Sequence, residues 1–151
     1  MRLTVRVGWP VAYFVRYFAA QPITTKAVQA ALQVYDPAFK IDLGELLRGE
    51  TALGQVEVNQ ASGDLFEDDL RHTIATVEAA NGAAVVPRLR ASRAIVVVSL
   101  DWTDRGPDAT LQLVAPLWSA LAQLSPGLAQ WDGNGIFEGD RRLVDLSQQR
   151  H

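Results

Sequence analysis

Ala94-Ile95-Val96-Val97-Val98-Ser99-Leu100-Asp101-Trp102 is the stretch on which the fold turns. Successive side chains of a strand point to opposite faces. Val96, Val98, Leu100 and Trp102 therefore share one face, and Ile95 and Val97 share the other with Ser99 and Asp101. A strand apolar on both sides is central and at least partly covered on both faces. The flanking segments must supply that cover.

Upstream, only Ala91-Ser92-Arg93 separates this strand from residues 83–90, which the sequence predicts as a second strand. So short a link makes a hairpin, because a parallel crossover needs about a dozen residues. Before it, Asp64 is placed to cap a helix, with Glu67 at capping-box spacing and Phe66, Leu70, Ile74 and Val77 on one stripe. Asn81-Gly82 ends that helix, and residues 54–60 form a strand with Val56 and Val58 on one face. Downstream, Asp108 is placed to cap a helix to about Leu124. Leu111, Val114, Leu117, Trp118 and Leu121 face inward, and Pro116 kinks the helix or delays its start. Residues 128–131 form a short strand, Asp132-Gly133-Asn134-Gly135 a tight turn, and Ile136-Phe137 with Leu143-Val144 a last hairpin.

Nearer the N-terminus, Leu3, Val5 and Val7 alternate as a strand. Residues 10–20 fit a helix opened by Pro10, with Val11, Phe14, Val15 and Phe18 at helical spacing. They fit a strand equally, being rich in aromatic and β-branched side chains. Thr24 caps a helix ending at Asp36-Pro37, with Val28, Ala31, Leu32 and Tyr35 inward. Phe39, Ile41 and Leu43 alternate as a strand, and Gly44 and Gly49 bracket an irregular piece.

These elements make a single α+β domain over residues 1–151, an antiparallel sheet packed with helices. Residues 54–132 run β-α-β-β-α-β, the ferredoxin-like split βαβ order, behind an N-terminal extension of helix and strand. With the helix over 24–35 and the strand over 39–43, residues 24–124 run α-β-β-α-β-β-α. In that element order the chain resembles the YbjN and type III secretion-chaperone fold. The resemblance implies a bacterial-type, chaperone-like role in binding other proteins.

Composition narrows the function. The chain has 48% hydrophobic and 21% charged residues, a globular balance. The net charge of −3 gives no bulk attraction to nucleic acid or anionic lipid. The absence of cysteine removes disulfides, thiol catalysis and thiolate metal sites. No apolar run approaches the roughly 20 residues that span a bilayer, and residues 1–7 lack a secretory apolar core. A cytoplasmic location is the expectation, with no membrane partner.

Four constellations could carry chemistry. Asp68 and His72 lie one helical turn apart and, with Asp101 near a strand end, offer a carboxylate-dependent enzyme. A zinc site would need three or four ligands, and carboxylates at a helix start are explained by its dipole. Asp132 to Phe137 matches the middle of a calcium-binding loop, but Gln130 and Arg141 stand where its acidic ligands belong. Arg88, Arg90 and Arg93 cluster on the expected hairpin, where they could hold phosphate, an acidic partner or nucleic acid. No aromatic residue interleaves them for base stacking. The fourth constellation is aromatic: four tryptophans with Tyr13, Phe14, Tyr17 and Phe18. Any exposed subset would be a partner surface.

No phosphate-cradling glycine loop, His-Glu-x-x-His pattern or nucleophile elbow is present. The expectation is a non-enzymatic protein-binding module, adaptor or chaperone-like, with no cofactor and no metal. The alternatives are the Asp68/His72/Asp101 enzyme and a nucleic-acid binder using the three arginines. Ile95 and Val97, left on the open face of a ferredoxin-like sheet, suggest a homodimer. With Arg88, Arg90 and Arg93 they form the expected partner surface.

Overall fold

A computed structural model describes residues 12–102 and 105–148. The strand expected over residues 3–8, and Trp9, lie outside them.

The central strand is where the sequence puts it, β5 (Ala94–Asp101). Of the stretch 10–20, the described part is a strand, β1 (Ala12–Ala19), which pairs antiparallel with β5 along its whole length. Then come α1 (Thr25–Tyr35), β2 (Phe39–Asp42), β3 (Glu45–Arg48), β4 (Thr51–Gln60) and α2 (Asp64–Ala79). A 3-10 turn (Ala83–Val85) leads into the short α3 (Val86–Arg90). After β5 follow α4 (Pro107–Leu124), β6 (Gly127–Trp131), β7 (Gly135–Glu138) and β8 (Arg141–Asp145). The eight strands form one antiparallel sheet in the order β2-β3-β4-β5-β1-β6-β7-β8.

Two hydrophobic layers sandwich the sheet. On one face Val96, Val98 and Leu100 pack with Val15, Val28 and Leu32 and with Val114, Leu117 and Leu121, so α1 and α4 cover it. On the other, Ile95 packs with Phe18 and Leu128, with Phe66, Leu70, Ile74 and Val77 of α2, and with Val86 and Leu89 of α3. Helices α2 and α4 thus lie on opposite faces, not together on the Val96 face. Ile95 is fully buried and Val97 half-buried. The open apolar strip that suggested a homodimer is therefore absent. Burying each of these aliphatic side chains contributes about 1.5–3 kcal/mol, and α2 and α3 supply the cover within one chain.

Residues 83–90 form no strand. Pro87 cannot donate to a sheet ladder and is favoured in a first helical turn. Val85, Val86 and Leu89 recur at helical spacing and all three are buried. The 54–132 order is therefore β-α-α-β-α-β, and the hairpin expected over 83–102 is replaced by a helix-to-strand connection. The piece between Gly44 and Gly49 is β3, joined to β2 by Leu43 and Gly44 at φ 50° and 87°. Paired positive φ values at a two-residue loop are those of a tight hairpin turn, in which Leu43 stands fully exposed. Residues 24–124 accordingly carry three strands between α1 and α2, and one between α3 and α4.

Caps also differ. Thr24 caps α1 as expected, its hydroxyl accepting from the Ala27 N–H at 3.1 Å. At α2 the cap is Gly63 and Asp64 is already inside the first turn, making no side-chain cap bond. At α4 the cap is Gly106, with Pro107 opening the helix and Asp108 in its first turn. The two carboxylates stabilise their helices through the dipole instead. Helix α4 runs unbroken through Pro116.

One close approach tests the centre of this fold. Gly54 of β4 pairs with Leu100 at φ 151°, and a Cβ there would overlap the carbonyl oxygen of Ser99. Gly54→Ala is expected to cost at least about 2 kcal/mol, from strain and overpacking together. Chemical denaturation that finds Gly54→Ala as stable as the wild type would contradict the β4–β5 register.

Candidate functional site: an aromatic groove beside α4

The face covered by α1 and α4 is not covered evenly. Beyond α4, where β6 and β7 form the floor, a groove opens and aromatic rings line it. The alternation of β1 sends Tyr13 and Tyr17 to this face with Val15. Trp131 ends β6, Phe137 lies on the paired strand β7, Trp118 projects from α4, and Trp102 follows β5. Tyr13 stacks on Trp102 with ring centroids 5.1 Å apart and planes at 24°. Tyr13 lies 6.1 Å from Trp131, and Trp118 meets Trp131 edge-on at 5.1 Å. These are the offset and edge-to-face arrangements that aromatic pairs prefer. All six rings are half-buried.

The groove comprises two adjoining recesses that share Trp131, Phe137, Gly139 and Asp140. One, of about 310 Å³, reaches Tyr17 and Trp118. The other, of about 380 Å³, reaches Tyr13 and Trp102. Both tyrosine hydroxyls are held from below: Tyr13 donates to the Asp132 carbonyl and Tyr17 to the Ser125 carbonyl, each at 2.6 Å. Burial, with the Asp132 charge adding to it, pushes the Tyr13 phenol up to about 12, and burial also raises that of Tyr17. Among the described residues, Asp140 in the β7–β8 turn carries the one carboxylate along the walls, and no lysine, arginine or histidine lines either recess.

The residues singled out in the sequence lie elsewhere. Asp68 is exposed and paired with Arg71 at 3.0 Å, not with His72. His72 is exposed on α2 and lines a recess together with Asp132. Asp101 ends β5, its main-chain oxygen accepting from Arg105 at 2.7 Å. No group of three or more possible metal ligands assembles among the described residues.

Asp132 and Asn134 of the calcium-like turn are engaged by arginines. Arg16 donates to the Asp132 carboxylate at 3.1 Å and to Gln130 at 3.1 Å, and its Nε lies 3.4 Å from Asp69. Arg142 donates to the Asn134 side-chain oxygen at 2.9 Å. Desolvation raises the Asp132 pKa and Arg16 opposes it.

The arginine trio stands on α3 and just after it, so Arg88 and Arg90 do not point the same way, as they would on a strand. Arg88 pairs with Glu138 at 2.9 Å, and Arg141 reaches the same carboxylate at 3.2 Å. Arg90 shares a recess with Glu67 and Glu78, and Arg93 is exposed. With Ile95 beneath the helices, the five residues expected to form one partner surface do not lie together as one.

The sequence listed the aromatic residues without assembling them. The signal was the i, i+4 spacing of Tyr13 and Tyr17, which puts both on one face once residues 12–19 are a strand. No family model, curated protein or solved structure matches the chain.

Two measurements follow from the site. Because the folded state holds the Tyr13 proton to about pH 12 and an unfolded chain releases it near 10, the unfolded state binds fewer protons in between. Its contribution is fully present below pH 10 and is lost as pH rises through 12. Alkaline ultraviolet titration should show a late tyrosinate step that shrinks in Tyr13→Phe. An unchanged late step would contradict the Tyr13–Asp132 bond. Calcium at millimolar level should leave the melting temperature unchanged, whereas a native-state ligand would raise it and chelation would reverse the rise.

Proposed function

We propose that this chain is a non-enzymatic protein-binding module, an adaptor or chaperone-like subunit, and that the aromatic groove beside α4 is its binding face. One observation carries the proposal. Six aromatic rings converge on a groove that the fold leaves open, while a complete aliphatic core lies on both faces of the sheet. Ring clusters of this kind anchor protein partners, because each ring offers a large rigid apolar area at small entropic cost. The enzyme alternative draws less support, since Asp68 turns to Arg71 and away from His72. The nucleic-acid alternative draws less again, since Arg88 is neutralised by Glu138.

The test is selection from a displayed library of random peptides, repeated on Trp118→Ala and Phe137→Ala. Both side chains are half-buried, Phe137 outside both core clusters and Trp118 at the margin of one, and circular dichroism should show both variants folded. Enriched peptides should bind each variant roughly 30-fold more weakly, the effect of losing an interface anchor worth about 2 kcal/mol. Failure to enrich any sequence, or enriched peptides indifferent to both substitutions, would overturn the groove as the binding face.

A further inference from the structure

Resting on that reading of the groove, we propose that its occupant is a proline-rich peptide in the polyproline II conformation, carrying one basic side chain that pairs with Asp140.

The shape of the groove selects an extended ligand. Its two recesses lie on either side of one shared wall, Trp131 with Phe137. Tyr13 in one recess and Trp118 in the other both pack against Trp131, at 6.1 and 5.1 Å, so the two recesses share a continuous aromatic lining. Each recess is bounded by aromatic faces, the surfaces on which pyrrolidine rings pack in aromatic-lined grooves. Strand addition is excluded at the floor, because β6 is already paired on both edges, with β1 and with β7.

The hydrogen-bonding groups select the same ligand. A polyproline helix makes no internal hydrogen bonds, so its carbonyls need donors. The tyrosine hydroxyls are spent on main-chain carbonyls and present only their faces. The indole N–H groups of Trp102, Trp118 and Trp131 have no acceptor among the described residues, and with the Ser119 hydroxyl and the Asn134 amide they are donors along the recesses. Lining the groove, they face a ligand whose backbone offers acceptors and few donors.

Charge supplies the last element. Glu138, two residues earlier, is held by Arg88 and Arg141, whereas Asp140 has no ion-pair partner among the described residues. Among the described residues it is the one charged side chain along both recesses. A carboxylate beside aromatic faces favours an arginine or lysine, which gains both an ion pair and contact with the rings. A nucleic-acid strand, which needs cations along its backbone, finds none here.

The groove tryptophans report binding directly, by their fluorescence. Four probes are titrated: a short proline-rich peptide with one arginine, the same peptide with that arginine replaced by glutamate, a scrambled peptide that keeps the arginine and has no proline, and a neutral oligosaccharide. The arginine peptide should saturate the emission change, and the glutamate peptide should bind at least about tenfold more weakly. Asp140→Asn, at an exposed turn, should remove that difference, Asp140→Lys should reverse it, and Trp118→Ala should weaken both peptides. Equal binding of the scrambled and proline-rich peptides would overturn the proline-rich occupant. If that equal binding is lost in Trp118→Ala, the groove remains a protein-binding face. Saturation by the oligosaccharide alone would assign the groove to a sugar and overturn both. No response to any probe would overturn the occupant, and the displayed-library selection then decides the groove independently.

Discussion

Strand β5 must be hidden on both faces, and the rest of the molecule is arranged to hide it. Five of its eight residues are buried, from Ala94, Ile95 and Val96 to Val98 and Leu100. A sheet with one wet face would strand Ile95 in water. Two helical layers are therefore required: α1 with α4 on the even-numbered side and α2 with α3 on the odd. This is why α2, before β5 in the chain, and α4, after it, fall on opposite faces. The same demand brings β1 beside β5 along its whole length, since β1 contributes Val15 to one layer and Phe18 to the other.

Two layers of two helices do not cover eight strands. At about 4.8 Å per strand the sheet is nearly 40 Å wide, while two helices packed about 10 Å apart cover roughly half of that. On the α1/α4 face the shortfall falls over β6 and β7, because α1 and α4 pack on each other and α1 leans toward β2. Strand side chains facing that gap must tolerate partial exposure. Aromatic residues suit it, with an apolar body and, in tyrosine and tryptophan, a polar handle. The groove is thus a consequence of the sheet's width, and its chemistry follows from which residues the uncovered strands carry.

The central strand, the Thr24 cap, the α2 and α4 stripes and the last hairpin were legible because each is a periodic pattern ended by a strong breaker. The misplaced pieces are short. Residues 83–90 are apolar enough for a strand, and only Pro87 with the 85, 86, 89 spacing argues otherwise. Leu43-Gly44 hides a hairpin because leucine is a poor residue for positive φ. The groove was illegible for a different reason. Its residues come from β1, α4, β6, β7 and the end of β5, and nothing in their spacing shows that they converge until the strand order is known.

The groove and the opposite face meet at Asp132. Its carboxylate accepts from Arg16 on the α2 side, while its main-chain oxygen accepts from Tyr13 on the groove side. Arg16 in turn reaches Asp69 of α2, and Gln130 shares its guanidinium. Burial alone would favour a neutral Asp132, and Arg16 acts to keep it ionised. A bonded charge at this point fixes the end of β6 and thereby sets both Trp131, one residue before, and the carbonyl that holds the Tyr13 ring. The polar network around Asp132 is thus accounted for as the support of the aromatic wall. It spends its side chains on one another, and the rings above it are left with faces and indole N–H groups to offer.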